Sequence, residues 1–304
     1  MEIQWDDMRI FLSVARTDSL SAAARVLKRD AATVGRRIAR LESALGAALF
    51  AKSPQGYRLT EAGQRFVAHA EQAEQAMLAA KDELRGDGEA LSGTIRVGAP
   101  DGCANFLLPR VCVALTEMHP DLDIQIVALP RVFNLPRREA DMAIAVSPPS
   151  GGRLSVQKIA DYHLSLAAHR DYLTGAPALN SLEDLRHHRM VGYVPDMIFD
   201  KELDYLGGIG IDRVALSSNS VAVQFQWLAM GAGVGVVHDF ALPAAPGLVR
   251  VLADQVRLTR TFWLIRHADD HRTVRLNRFA GFLVDGVRAE LARLETMARP
   301  DAMR

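Results

Sequence analysis

Apolar positions in the first sixty residues recur at helical spacing. Met8, Phe11, Leu12 and Ala15 mark one helix. The next, Ser21 to Leu27, takes Ser21 as its N-cap, with Leu20 placed ahead of it as a hydrophobic staple. A third opens on Asp30 and stops at Gly46; Val34, Ile38, Leu41 and Leu45 form its buried stripe, and Ala32, Thr33, Arg36, Arg37 and Arg40 its outer face. Leu49-Phe50 and the stretch from Ser53 to Leu59 then read as a strand, a turn and a strand, which together make a wing. Thr60 caps a long helix reaching about Arg85. Its seam, Leu59, Gly63, Phe66, Ala70, Ala73, Met77, Ala80 and Leu84, alternates steps of four and three. Such a heptad seam calls for a partner helix and so for a homodimer; the alternative is a helix lying on its own domain.

Gly86-Asp87-Gly88 ends that helix, and strands then alternate with helices. Strands are predicted at Thr94 to Gly98, Leu122 to Leu129, Met142 to Val146 (after the segment Arg131 to Ala140), His163 to Ala168, Met190 to Val194 and Val234 to His238. Helices are predicted at Asn105 to His119, Ser220 to Met230 and Thr273 to Met297. This order implies parallel sheets with crossovers, an α/β architecture.

With 304 residues, 49% of them apolar, the chain suits two or three domains. Its formal net charge is zero, yet Arg25 to Arg58 holds eight basic residues (Arg25, Lys28, Arg29, Arg36, Arg37, Arg40, Lys52, Arg58) against two acidic ones (Asp30, Glu42). That segment is therefore +6 and the remainder −6, a local phosphate-binding face on a neutral protein. Cys103 and Cys112 have no partner at metal-ligand spacing, so neither a disulfide framework nor a metal site is expected. An acidic N-terminus and the lack of an apolar run near ~18 residues point to a cytoplasmic protein without a membrane partner.

Ser19-Leu20-Ser21-Ala22-Ala23-Ala24-Arg25, Thr33-Val34-Gly35-Arg36-Arg37-Ile38, Leu41-Glu42, Leu45-Gly46, Leu49-Phe50 and Leu59-Thr60-Glu61-Ala62-Gly63 resemble, in order and spacing, the head of LysR-type transcription regulators. Leu108-Pro109, His119-Pro120, the run Arg137 to Asp141 and Gly231-Ala232-Gly233-Val234-Gly235 extend the resemblance more loosely. It implies a winged helix-turn-helix domain (1–60), a linker and dimerisation helix (61–90) and a two-subdomain effector domain like a periplasmic solute-binding protein (91–304). Within the last, subdomain I is 93–160 plus 267–304, and subdomain II is 161–266.

A helix with a small, donor-rich outer face can enter a ~12 Å major groove. Thr33, Arg36 and Arg37 are expected to reach base edges or nearby phosphates, with Ala31, Ala32 and Arg40 on the same helix, while Ser21, Lys52 and Arg58 hold the DNA backbone. Asp30-Ala31-Ala32 stands where the family often has Ser-Gln-Pro, and Gly35 where Ser is usual, so the base-reading pattern differs.

The resemblance places the effector between the subdomains, and ligands of open α/β sheets sit beyond strand C-termini. Pro100, Asp101, Gly102 and Cys103 would then face Ser218 and Asn219, with Ser147, Tyr193 and His238 on the wall. Two helix N-termini at one cleft favour a carboxylate-bearing metabolite. Asp101 runs against this: it either caps its own helix or favours a cationic or polyol effector. Cys103 beside a helix N-terminus is a candidate low-pKa redox sensor.

The glycine run at 231–235 follows a helix and precedes a strand, so it reads as a helix stop and not a dinucleotide fingerprint. His267, Asp269, Asp270 and His271 read as a solvated turn, and His187-His188 as surface. Nucleophile elbows, acid/base pairs and activated thiols are not recognised, so neither an enzyme nor a cofactor is expected. The expected partners are operator DNA, a small-molecule effector, a second copy of the chain in a homodimer that pairs into a tetramer, and RNA polymerase. A solute-binding receptor and an α/β enzyme with a regulatory head are the rival classes.

Overall fold

The computed structural model describes residues 3–53, 56–84, 90–128, 140–149, 151, 153–211, 213–268 and 273–299. The chain forms two compact units, residues 1–88 and 89–304. The first contains α1 (Trp5–Thr17), α2 (Leu20–Val26), α3 (Ala31–Leu45), the antiparallel wing strands β1 (Phe50–Ser53) and β2 (Gly56–Leu59), and α4 (Glu61–Leu84). Its core gathers Ile10, Phe11, Val14, Val34, Ile38, Leu41, Leu49 and Ala70, and the Phe11 ring packs on Phe50 at 5.3 Å and Phe66 at 5.0 Å.

Local chemistry sets the boundaries. Asp30 caps α3 as expected, and Gly46 ends it in the left-handed region at φ 65°. The cap of α2 is Ser19, not Ser21. Ser19 is extended (φ −152°, ψ 127°) and its Oγ accepts from Ala22 N at 3.3 Å, so Leu20 is the first helical residue and Ser21 lies exposed inside the first turn. Thr60 caps α4, its Oγ1 accepting from Gly63 N at 3.0 Å.

The α4 seam divides. A Cβ on Gly63 would stand 2.1 Å from Leu49 O, Phe66 packs on Phe11, and Ala70 is fully buried in the head. Arg16 Nη2 then donates to Glu74 Oε2 at 2.6 Å. The first half of the seam is thus spent on the helix's own domain, and Met77 beyond it is exposed.

Among the described residues the second unit is built on one sheet of nine strands: β3 (Gly93–Ala99), β4 (Leu122–Ala128), β5 (Met142–Ala145), β6 (Leu154–His169), β7 (Met190–Gly192), β8 (Leu216–Ser217), β9 (Val234–His238), β10 (Leu248–Arg250) and β11 (Arg257–His267). The order is β4-β3-β5-β11-β6-β9-β7-β8, with β10 beside β6. Both ends, β4-β3-β5 and β9-β7-β8, are parallel, as α/β alternation predicts, whereas the middle pair β11-β6 is antiparallel. These two long strands are the crossovers that join the lobes, and the register between them shifts at Phe262/Trp263.

Helices α5 (Asp101–Phe106), α6 (Leu108–Met118), α7 (Arg170–Gly175), α8 (Val221–Ala229) and α9 (Val274–Met297) complete the unit. One helix was expected over Asn105 to His119; the chain instead breaks at Leu107, because Pro109 lacks the N–H that would continue α5 and takes a first-turn position of α6. The segment Arg131 to Glu139 lies outside the described residues. Gly231 ends α8 at φ 73°, and Gly233 and Gly235 let β9 approach β7, since a Cβ at Gly233 would meet Arg189 O at 2.1 Å.

Candidate nucleic-acid interface and effector cavity

On α3 the outer face is organised by two carboxylates. Asp30 Oδ1 accepts from Thr33 N at 2.7 Å and Oδ2 from Thr33 Oγ1 at 2.6 Å, while Arg36 Nη2 donates to Thr33 Oγ1 at 3.1 Å. These bonds to Thr33 hold the Asp30 carboxyl below the usual range. The Thr33 proton is spent on Asp30, so Thr33 offers outward only acceptor capacity, and the donors of this turn belong to exposed Arg36.

Arg37 and Arg40 are engaged elsewhere. Arg37 Nη1 donates to Asp7 Oδ1 at 3.0 Å, and Arg40 reaches Asp7 Oδ2 through Nε at 2.7 Å and Oδ1 through Nη2 at 2.6 Å. Asp7 is 2% exposed. Burial alone would raise its carboxyl, but the hydrogen bonds and charges of Arg40 and Arg37 outweigh that and hold it low. The two arginines therefore pin α3 to α1. The sequence reading missed Asp7; its signal was an Asp pair in the first turn of α1 on a chain whose next forty residues are basic.

Of the other expected DNA contacts, Ala32 and Ser21 are exposed, Ala31 half-buried in the first turn of α3, and Arg58 exposed on β2 opposite Ala51; Lys52 pairs with Tyr57 in the wing register. Arg25, Lys28 and Arg29 are exposed at the α2–α3 turn and extend the basic surface.

In the second unit a cavity of 280 Å³ lies beyond the C-terminal ends of β3 and β5. Pro100, Asp101, Gly102, Cys103, Ser147, Tyr193, Asn219 and His238 all line it. Ser218 does not: its Oγ accepts from Ser220 N at 3.1 Å and its carbonyl from Gln224 Nε2 at 2.7 Å, so it shapes the turn before α8. Tyr162, Phe199, Asp200, Tyr205 and Phe262 also line the wall and were not anticipated.

Asp101 does not cap its own helix. Its Oδ2 accepts from Ser220 Oγ at 3.0 Å and from Ala222 N at 2.9 Å, so it caps α8 in the opposite lobe, while Oδ1 accepts from Asn105 Nδ2 at 3.0 Å. A second bond crosses the cleft from Ser147 Oγ to Asp200, whose other oxygen accepts from Glu202 N at 2.9 Å. Tyr162 stacks on Phe262 at 4.0 Å and on His238 at 5.5 Å. Burial keeps His238 neutral, its pKa pushed down to about 3, and raises the Tyr162, Tyr193 and Tyr205 hydroxyls above the usual tyrosine range.

Cys103 corrects the redox expectation. It is fully buried, and burial pushes its thiol up, opposite to the shift a thiolate sensor needs; Cys112 is pushed up to about 11 in the same way. His188, expected at the surface, is buried with Nδ1 3.2 Å from the Tyr172 hydroxyl. Of the proposed turn, Asp269, Asp270 and His271 lie outside the described residues; among the described ones no cluster of three metal-ligating side chains occurs. No described helix is long and apolar enough to cross a membrane.

Comparison with known proteins brings both surfaces under one description. The family model for the bacterial regulatory helix-turn-helix protein, lysR family, matches residues 5–64, and that for the LysR substrate binding domain matches residues 88–288. The chain is 25% identical over 291 residues to the HTH-type transcriptional regulator CrgA of Neisseria meningitidis, covering 94% of this chain and 97% of that one. It is 26% identical over 300 residues to the transcriptional activator TtdR of Escherichia coli, covering 91% of each. A full-length OxyR variant from Pseudomonas aeruginosa shares the fold at a TM-score of 0.71 and 20% identity over 95% of each chain. With more than half of its length matched by the effector-domain model and its head by the DNA-binding one, the chain belongs to the LysR family: it is a DNA-binding transcription regulator with an effector-binding domain.

Proposed function

We propose that α3 enters the major groove with Arg36 as the principal base-reading side chain and Thr33, Ala31 and Ala32 lining the approach. Ser21, Lys52 and Arg58 hold phosphates, joined by Arg25, Lys28 and Arg29. Arg37 and Arg40 act chiefly by fixing the helix, with their remaining N–H groups available to the DNA backbone. The observation that carries this assignment is the Asp30–Thr33–Arg36 chain of hydrogen bonds, which orients a guanidinium on the exposed face of a rigid helix. A small molecule in the 280 Å³ cavity shifts the population of lobe arrangements and with it the DNA-bound state. The protein works in the cytoplasm as a homodimer joined through α4 beyond the half packed on the head, pairing further into tetramers on DNA and meeting RNA polymerase there.

Selection of genomic fragments by the purified full-length protein tests the reading. A salt-sensitive preference for a few fragments over random duplex is expected. Equal binding to all duplexes would remove the sequence-reading role.

A further inference from the structure

Resting on the reading of the cavity as the effector site, we propose that it takes a non-anionic, ring-sized organic molecule and rejects carboxylates, because Asp101 already occupies the place a ligand carboxylate would take. The N-terminus of α8 is the cavity's natural anion site, and three of its donors are used. Ala222 N goes to Asp101 at 2.9 Å, Val223 N to Ser220 Oγ at 3.4 Å and Gln224 N to Ser220 O at 3.2 Å. Asp101 is thus an internal ligand.

The rest of the wall agrees. Among its described residues the ionised groups are two carboxylates, Asp101 and Asp200, and Lys or Arg side chains are missing from it. An entering anion would meet two like charges in a half-desolvated space. A ring meets the Tyr162–Phe262 stack, Phe199 and Tyr193. One buried polar atom on this wall, His238 Nδ1, lacks a hydrogen bond, its residue being 4% exposed; the Tyr205 hydroxyl lies against the Tyr162 and Tyr193 hydroxyls. Burial holds His238 neutral. A hydroxyl on the ligand donates to or accepts from that nitrogen, and an ammonium donates to it.

Three probes of one shape separate the charge classes: benzyl alcohol, benzylamine and benzoate. They are titrated calorimetrically into the full-length protein and into Asp101→Ser and Asp101→Asn, the second keeping an acceptor for Ala222 N. The wild type should bind benzyl alcohol or benzylamine at least about tenfold more tightly than benzoate, and both variants should gain benzoate affinity by about tenfold. Benzoate binding to the wild type as tightly as the other two, no gain in either variant, or no binding of any probe to any of the three proteins overturns the proposal. The genomic-fragment preference is measured on the same samples. Its loss in the wild type strikes the regulator reading, whereas a wrong probe ranking with that preference intact strikes only the charge assignment.

Discussion

Carboxylates organise both units, but they hold different kinds of partner. In the head, Asp7 is buried and grips two guanidinium groups of a helix in the same rigid core, with both of its oxygens charge-paired. In the effector unit, Asp101 grips a hydroxyl and one backbone amide across a cavity, where an incoming molecule can compete for the same groups. Cutting the first takes from two half-exposed guanidinium groups their buried counter-charge and leaves Arg37 with Asp6 and Arg40 with Gln4. Loosening the second leaves neutral donors facing open space. The difference separates a scaffold from a latch, although the residue type is the same.

Steric contacts give the largest expected effect on this contrast. Gly63→Ala drives a methyl into Leu49 O, a backbone atom that cannot step aside, and should destabilise the head by about 3 kcal/mol; Gly102→Ala meets only the His238 ring at 3.1 Å and should cost about 1 kcal/mol. Urea unfolding followed by Trp5 fluorescence in a Trp227→Phe, Trp263→Phe background reads the first, and whole-chain thermal unfolding the second. Equal costs would erase the distinction between rigid and yielding neighbours.

Next comes Asp7→Asn, expected to cost the head about 2 kcal/mol through weakened charge-assisted bonds to Arg37 and Arg40. The Asp7 carboxyl is lower in the folded than in the unfolded chain, so its stabilisation is complete above the unfolded carboxylate pKa of about 4 and is lost as pH falls through the folded value. Wild-type head stability should therefore fall more steeply than that of the variant below about pH 4. Parallel acid titrations would deny Asp7 its place in the scaffold.

A smaller separation is expected on α3 itself. Arg36→Ala should weaken binding to a selected operator by about 1–3 kcal/mol with the unfolding midpoint unchanged, whereas Arg40→Ala should lower the midpoint first. Gel-shift titrations beside denaturation curves decide it, and an unaltered operator affinity for Arg36→Ala would take that residue out of base reading. Smallest of all, Tyr205→Phe removes a hydroxyl that touches only the Tyr162 and Tyr193 hydroxyls and should shift stability by less than about 1 kcal/mol in either direction. A large loss in calorimetry would mean that the cavity wall, like the head, relies on a closed polar network.

Where periodicity is local, the fold was legible in the sequence. The stripe of α3, the cap Asp30, the stop Gly46 and the buried strand β9 each follow from a handful of neighbours. Ser19 and Ser21 were confused because both precede the same apolar run, and only backbone geometry distinguishes a cap from a first-turn residue. Strand β11 was missed for a deeper reason: it serves two lobes, and the register shift at Phe262/Trp263 breaks the alternation by which a strand is recognised. The cavity shows the same division. Its residues on loops after predicted strands were found, while Tyr162 and Phe262 came from the crossing strands, and Asp200 and Tyr205 from short irregular turns that carry no period.

The tight seat of Gly63 on Leu49, together with the Arg16–Glu74 pair, fastens α4 to the head from Glu61 to Glu74, a lever arm of roughly 20 Å at the rise of an α-helix. Torque applied at the distal end of that helix reaches the recognition surface without slack in between. In the proposed dimer, any joint that lets the heads change their spacing on a duplex falls after the fourth turn of the rod, and glycines inserted there, not nearer the wing, are what would uncouple the two ends.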